Sequence, residues 1–169
     1  TTEAKQVLSI ALTDTSKDPN LERLVTTVSR RLDKLIGPVV KRTVTDYAQA
    51  RGCHLELAYG PVASISSIVE YQGTQAVTLT AETPGTQPTD GYAADRYRPD
   101  PSLYSGILVR RISGCDALWW NGVGNVVCTY TAGRVASTTT VDPRHKESAA
   151  LMLRNLWRSY ENTVGGVDQ

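Results

Sequence analysis

The feature that most constrains this fold is a hydrophobic pattern whose period changes twice along the chain. Apolar residues recur at helical spacing towards both ends of the sequence, whereas in between they alternate with polar residues. Helical spacing gathers apolar side chains on one stripe, and alternation gathers them on one face of a strand. The 169 residues therefore predict an α+β fold, with helices before and after a β-rich body, in a single domain of residues 1–169.

Three segments carry the helical pattern. Residues 3–12 have one apolar side, and Asp18-Pro19 supplies the N-cap and the first helical residue for a second stripe, which Gly37-Pro38 ends. Asp142-Pro143 repeats this capping chemistry before a third stripe. The predicted parts are a helical region at 1–37, a β-rich region at 38–133, an amphipathic C-terminal helix at 142–162 and a short tail at 163–169.

The β-rich region combines alternation with β-branched residues and with turns at glycine and proline. Successive strands joined by short turns favour a central antiparallel sheet or meander of about five or six strands. The residues from Trp119 to Gly133 predict a tight hairpin, with its turn at 122–125. The predicted strands are 39–47, 53–59, 62–71, 77–81, 104–112 and 126–132.

Residues 82–101 predict a long exposed loop inside this region. They contain four prolines and almost no aliphatic side chains. Loops of this length are uncommon unless they have a function. We therefore expect this loop to contact other molecules.

The charge of the chain is close to neutral. Eighteen basic and seventeen acidic residues leave a formal net charge of +1, so the chain lacks the basic surface of a sequence-independent nucleic-acid binder. No apolar run approaches the roughly 20 residues that cross a bilayer, and the first residues lack the order of a secretion signal. We expect a soluble protein that is made in a cytoplasm and has no membrane partner.

Residues suited to catalysis or metal binding are few. His54 and His145 lie where surface residues are expected, and no metal-binding spacing occurs. The odd number of cysteines, Cys53, Cys115 and Cys128, indicates small buried hydrophobes. We predict no catalytic residue, cofactor or metal, and an enzyme ranks last among the functions considered. A hydrolytic pair stays open among Glu56, Glu70, Asp90, Asp95, Asp100 and Asp116.

Aromatic composition favours interfaces. The chain has no Phe, but it has eight Tyr and three Trp, whose rings also carry a polar group. Because neighbouring strand residues point to opposite faces, one of Trp119 and Trp120 should leave the inner side of the sheet. Such rings also suit a small β-rich binding module, for example one for carbohydrate, and this is an alternative function.

Taken in order, these segments resemble the head–tail connector, or head–tail adaptor, family of long-tailed bacteriophages. Each motif alone is weak, but their order and spacing agree over roughly residues 20–162. The matching segments are 21–35, Arg42-Thr43-Val44-Thr45, 55–68, 104–110, Trp120-Asn121-Gly122, 127–133 and 143–160.

The resemblance implies a non-enzymatic structural protein of the virion neck, assembled in the host cytoplasm. Such proteins form a ring, usually of twelve copies, beneath the capsid portal. The ring extends the DNA channel and joins the head to a head-closure protein or to the tail. Double-stranded DNA would pass through the lumen without specific binding. A tail-terminator or stopper ring is the alternative within the same setting.

The resemblance also implies two contact surfaces. The terminal helix and tail would contact the portal protein, and the tail could order on docking or add a strand to a partner's sheet. The long loop would contact neighbouring subunits or the next ring. The implied portal contacts are Trp157, Tyr160, Val164 and Val167, and the implied loop contacts are Tyr92, Arg96, Tyr97 and Arg98.

Overall fold

A computed structural model describes residues 2–164, which fold as two compact units. The first, called the helical unit, comprises the described residues up to 36 and from 139 onwards. The second, called the β unit, comprises residues 37–138. The α+β fold class is therefore confirmed, with helices before a mostly antiparallel sheet and a long helix after it. That the two units act as a single domain stays a prediction.

The helical unit is built from three amphipathic helices. They are α1 (Thr2–Val7), α2 (Asp18–Ile36) and α3 (Pro143–Val164), and a short 3-10 turn (Thr138–Thr140) precedes the last of these. The stripe predicted on α2 packs against α3, because burial of apolar side chains is the main force holding short helices together. The core residues of this unit are Leu21, Leu24, Val28, Leu153 and Trp157.

A buried lysine joins the first two helices. The ammonium group of Lys5 is 2.7 Å from the Asp18 carboxylate and donates to the carbonyl oxygen of Asp14 at 2.9 Å. The prediction that Asp18 is an N-cap is therefore wrong, because Asp18 is the first residue of α2 and its carboxylate faces Lys5. The first helix also ends at Val7, whereas the sequence predicted that it would continue to residue 12. After Val7 the chain turns back, and the carbonyl oxygen of Leu12 accepts a hydrogen bond from the Lys5 ammonium group.

The β unit is one nine-stranded sheet. The strands are β1 (Arg42–Ala48), β2 (His54–Glu56), β3 (Val62–Gln72), β4 (Gln75–Thr78), β5 (Thr80–Ala81), β6 (Gly91–Arg96), β7 (Tyr104–Ile112), β8 (Cys115–Asp116) and β9 (Val126–Ala132). The main path runs β1, β9, β3, β7, β6, β5, while β2 and β8 pair with β7, and β4 pairs with β3. Every pairing is antiparallel except that of β5 with β6.

The sheet bends into two layers between β3 and β7. These strands are joined in register only at Val62 and Tyr104, so the path is continuous there but narrow. Inward-facing residues of β3 and β9 share one apolar core with those of β2, β6 and β7. Fully buried members include Leu55, Ile68, Leu108, Cys128 and Tyr130. Their burial supplies the main stabilisation of the unit.

Two predictions about chain topology are wrong. Residues 119–133 do not form a hairpin, because β9 lies between β1 and β3, which come from much earlier in the chain. Residues 82–101 are not one exposed loop, because Gly91–Arg96 forms β6 and pairs with β7. The partner strands of β9 are distant in sequence, so the alternation pattern does not reveal them, and the simple meander is replaced by a crossed order. The partner β7 directly follows β6 in the chain, but Gly91–Arg96 contains no β-branched residue, so its composition gives little strand signal.

The cysteines divide by position. Cys128 is buried on β9, as expected, and burial raises the pKa of its thiol to about 12. Cys115 is exposed and Cys53 is half-buried, so the expectation that all three are buried is wrong. Cys115 lies on the short edge strand β8, where little structure covers it.

The cap of α3 confirms the role predicted for Asp142. Its carboxylate accepts the backbone N–H of Arg144 at 2.8 Å, and its carbonyl oxygen accepts that of His145 at 3.0 Å. The pKa of Asp142 is lowered from an ordinary 3.8 to about 2. The largest cause is the hydrogen bond from the Arg144 side chain, and the next is the hydrogen bond from the Arg144 backbone N–H. A carboxylate whose pKa is lower in the folded state than in the unfolded state stabilises the fold at pH values above its unfolded-state pKa.

We therefore expect Asp142→Ala to lower the thermal unfolding midpoint at neutral pH by a few degrees, because α3 loses its cap. Asp142→Ser keeps a capping oxygen and should stay close to the parent protein. The difference between Asp142→Ala and the parent should shrink as the pH falls from about 3.8 towards 2, as the carboxylate becomes protonated. Thermal unfolding of the three proteins, followed by far-UV circular dichroism over this pH range, measures the difference in midpoint. A difference that does not change with pH would contradict the capping role.

Candidate assembly interface

The most exposed apolar segment of the β unit is the connection between β8 and β9, residues 117–125, called here the apolar loop. Leu118, Trp120 and Val123 are 76%, 52% and 89% exposed, respectively. Trp119 is 4% exposed and lies in the core. The expectation that one of the paired tryptophans points inwards and the other outwards is confirmed, although neither lies in a strand.

Hydrogen bonds to two other segments hold the apolar loop in place. The indole N–H of Trp119 donates to the carbonyl of Cys53 at 2.9 Å, and its backbone N–H donates to Gly52 at 3.0 Å. The backbone N–H of Trp120 donates to the Glu70 carboxylate at 2.8 Å. Exposed rings on a preordered backbone lose little conformational entropy on binding, which suits a docking contact.

The Glu70 carboxylate belongs to a buried ion pair. Glu70 on β3 and Arg110 on β7 are each 1% exposed, and their charged groups are 3.3 Å apart. Arg110 also pairs with Asp90 at 2.7 Å and donates to the carbonyl of Gly91 at 3.1 Å. Gln72 donates at 3.0 Å to Glu70 Oε2, the oxygen that also accepts from Arg110, while Oε1 accepts from Trp120. The pair thus joins both layers of the sheet and the apolar loop.

Sequence reasoning missed this pair. It assigned Glu70 to a possible hydrolytic set, whereas the structure brings Glu70 and Asp90 to the same guanidinium group. A signal was present, because Glu70 has the parity of the buried Ile68, and Arg110 has that of the buried Leu108. Charged residues at inward positions of two strands point to a buried pair.

A second ionic group holds the β7–β8 hairpin beside this pair. The Arg111 guanidinium group lies 2.8 Å from the Glu82 carboxylate and also contacts the Asp116 carboxylate and the carbonyl oxygen of Gly114. The hydrogen bond that Arg111 donates to the Glu82 carboxylate is the main reason that the pKa of Arg111 is raised. These groups are partly exposed, so their pairing is screened by water and contributes less than the buried pair.

The outer face of β1, β9 and β3 is a second exposed surface. The register aligns Tyr47, Val127 and Val69 across the three strands, and Tyr47 is 71% exposed. Adjacent rows carry small hydroxyl side chains. They are Thr45, Thr129 and Ser67 in one row and Thr43, Thr131 and Ser64 in the next. This flat face presents uncharged groups rather than charges.

The structure gives two of the four predicted portal-contact residues a packing role in the helical unit. Trp157 is 6% exposed in the core of that unit, and Tyr160 is half-buried beside it, with ring centroids 5.7 Å apart. A portal contact through Trp157 stays a prediction, and its ring would first have to leave this core. Val164 ends α3, and Val167 lies outside the described residues.

The loop residues assigned to ring contacts are separated by β6. Tyr92 is buried on the inner side of that strand, so the expectation that it lies in an exposed loop is wrong. Arg96 ends the strand, with its guanidinium group 4.3 Å from the centre of the Tyr104 ring. Tyr97 is half-buried and Arg98 is exposed in the turn that follows.

Among residues 2–164, no group of three or more His, Cys, Asp or Glu side chains is arranged to hold a metal ion. None of the helices in that range is long and apolar enough to cross a membrane.

No protein-family model matches the sequence, and no curated protein matches it. The structure is nevertheless similar to a chain from the neck of an empty GTA (gene transfer agent) particle, computed with C6 symmetry. The TM-score is 0.62 at 14% sequence identity, over 93% of this chain and 76% of that chain. The two chains share a fold. At this identity, similarity of fold is what the comparison establishes.

We expect Arg110→Met to lower the free energy of unfolding by about 3–5 kcal/mol, because it leaves the buried Glu70 carboxylate unpaired. Adding Glu70→Gln to this variant removes the unpaired charge and should restore part of the loss. Arg111→Met, on the partly exposed neighbour, should have a much smaller effect. Urea unfolding followed by tryptophan fluorescence measures all three. Equal losses for the two arginine variants would contradict the role of the pair.

Proposed function

We propose that this chain is a non-enzymatic structural protein of a virion neck. In this role it is a head–tail adaptor that forms a ring beneath the capsid portal. The ring extends the DNA channel and joins the head to a head-closure protein or to the tail, without binding DNA specifically.

The observation that carries this proposal is the fold similarity to a chain of a GTA neck over 93% of the protein. It agrees with the sequence resemblance to head–tail connectors, which rests on ordered motifs rather than on backbone coordinates. Two lines of reasoning from different properties of the chain therefore lead to the same kind of particle. Fold by itself does not determine function, so surface and assembly have to be tested.

Ring formation is consistent with the sixfold symmetry of that neck, because twelve copies are a multiple of six. A closed ring uses heterologous contacts, in which two different patches of neighbouring copies meet. The β unit offers different patches, namely the apolar loop and the hydroxyl-rich outer face. The formal net charge of +1 suits a lumen that does not retain DNA.

We assign the apolar loop to docking within the neck. Its exposed Trp120 and Leu118 stand on a backbone that hydrogen bonds hold in place. Exposed tryptophans with ordered backbones frequently dominate binding energy at protein interfaces. The portal-facing contact is assigned to the C-terminal end of α3 around Tyr160, whose ring also lies 5.9 Å from the Arg23 guanidinium group.

Native mass spectrometry of the purified protein, with and without portal protein, tests the ring. We expect the portal to convert small species into a ring of twelve copies. A protein that stays monomeric with portal and is retained by a carbohydrate resin would instead be a binding module. Rings that form on tails but ignore the portal would favour the tail-terminator or stopper alternative.

For the apolar loop, we expect Trp120→Ala to reduce the yield of tail-joined particles several-fold while the unfolding midpoint changes little, because the exposed ring supports binding rather than folding. Leu151→Ala is the matched control, since Leu151 on α3 is 53% exposed against 52% for Trp120. Particle assembly in extracts, scored by electron microscopy, measures the yield. If the two variants assemble equally well, the apolar loop is not the docking contact.

A further inference from the structure

The β unit contains a cleft between β3 and β6 to which the proposed function assigns no role. Its volume is about 520 Å³. Its walls include Ala63, Ser64 and Ile65 from β3, Ala94 and Arg96 from β6, and Tyr104 from β7. The lining combines apolar and hydroxyl-bearing residues with the exposed guanidinium group of Arg96 and the carboxylate of Glu82.

Both strands that border the cleft have an unpaired edge there. On the side away from β9, β3 pairs with β4 from Val69 onwards and with β7 at Val62. The carbonyl of Ile68 also accepts the backbone N–H of Leu79 at 2.9 Å, and between Val62 and Ile68 that edge has no strand partner among residues 2–164. On the side away from β7, β6 pairs with β5 at Gly91 and Tyr92, and beyond Tyr92 that edge is likewise unpartnered within the described range.

The backbone of β6 is aimed into the cleft. The carbonyl of Tyr92 accepts the N–H of Glu82 at 2.8 Å, so Tyr92 presents its polar backbone groups to the side away from β7. Backbone direction repeats every second residue in a strand, and the β6–β7 register is regular as far as Ala94. The N–H and C=O of Ala94 therefore point to the cleft, where an extended chain could bond with them.

We propose that this cleft binds the tail of a neighbouring copy, residues 165–169, as an added β-strand. These residues, Gly-Gly-Val-Asp-Gln, lie outside the described part of the chain. An extended segment of five residues spans about 17 Å, enough to follow the three-residue walls of β3 and β6. Main-chain hydrogen bonds to open strand edges are the general basis of such strand addition.

The chemistry of the tail matches that of the cleft. The two glycines let the added backbone approach both edges, and Val167 suits the apolar wall formed by Ile65 and Tyr104. Asp168 complements Arg96, which has no carboxylate partner among residues 2–164, whereas Glu82 in the same cleft is already paired with Arg111.

This inference rests on the proposed ring in one respect, namely that copies lie side by side. It gives the tail a partner within the ring, whereas the sequence resemblance assigns Val164 and Val167 to the portal. It also makes the contact heterologous, because a tail on one copy meets a cleft on the next.

Disulfide cross-linking between two different variants tests the contact. Both carry Cys53→Ser and Cys115→Ser, which remove the two accessible thiols. One also carries Val167→Cys and the other Ile65→Cys in the cleft wall. Mixed under mild oxidation at ring-forming concentration, they should give a cross-linked heterodimer on a non-reducing gel. Thr45→Cys, exposed on β1 of the same unit, replaces Ile65→Cys in the control mixture and should give several-fold less product.

Two variants address the mechanism. Ala94→Pro removes the N–H that faces the cleft and should abolish the cross-link, with circular dichroism to confirm folding. Arg96→Glu should weaken cross-linking several-fold, and Asp168→Lys on the tail partner should restore it.

Equal cross-linking to Ile65→Cys and Thr45→Cys would overturn the inference. So would a link that forms only within one copy carrying both cysteines, or one from Val167→Cys to added portal protein alone. Ring assembly is read separately by native mass spectrometry, so rings without the cross-link would remove this contact and leave the proposed function standing.

Discussion

The buried pair of Glu70 and Arg110 is the interaction on which the rest of the β unit depends. Each charged group has been removed from water, which is unfavourable unless its hydrogen-bonding capacity is satisfied. Here Glu70 accepts from Arg110, Gln72 and the backbone of Trp120, and Arg110 also reaches Asp90. One pair therefore orients both layers of the sheet and the loop that exposes the apolar side chains. An apolar pair could fill the same volume, but it would not determine the position of that loop.

The two exposed surfaces of the β unit differ in character, and this suits assembly. The apolar loop offers Leu118, Trp120 and Val123 on an ordered backbone, whereas the outer face of β1, β9 and β3 offers small hydroxyl groups. Ring contacts join unlike patches, and unlike patches are what this unit presents. The cleft beside β6 adds a third kind of surface, in which the backbone rather than the side chains offers the bonding groups. The proposed adaptor role thus rests on shape and hydrogen bonding rather than on charge.

Sequence reasoning succeeded where the signal is local. The strands β7 and β9 and the helices α2 and α3 were located to within a few residues, because apolar spacing depends on neighbours in the chain. It failed for the position of β9 in the sheet, because strand pairing over long sequence distances leaves no mark in the alternation pattern. It failed for β6 because Gly91–Arg96 contains no β-branched residue and so gives little strand signal. Asp142 was identified as a cap from its residue type, whereas Asp18, of the same type, turned out to pair with Lys5.

By itself, the sequence determined the α+β class and the order of helical and β-rich parts, because these follow from the period of the apolar pattern. The split of the tryptophan pair into one inward and one outward ring was also predicted correctly, although both residues lie in a loop rather than in a strand. Only the tertiary structure decided that Glu70 meets Arg110, that Trp157 is core, and that two strand edges face one cleft. Each of these depends on which segments, distant in sequence, pack against each other. The free energy of that packing comes from burial and hydrogen bonding between the segments rather than within them.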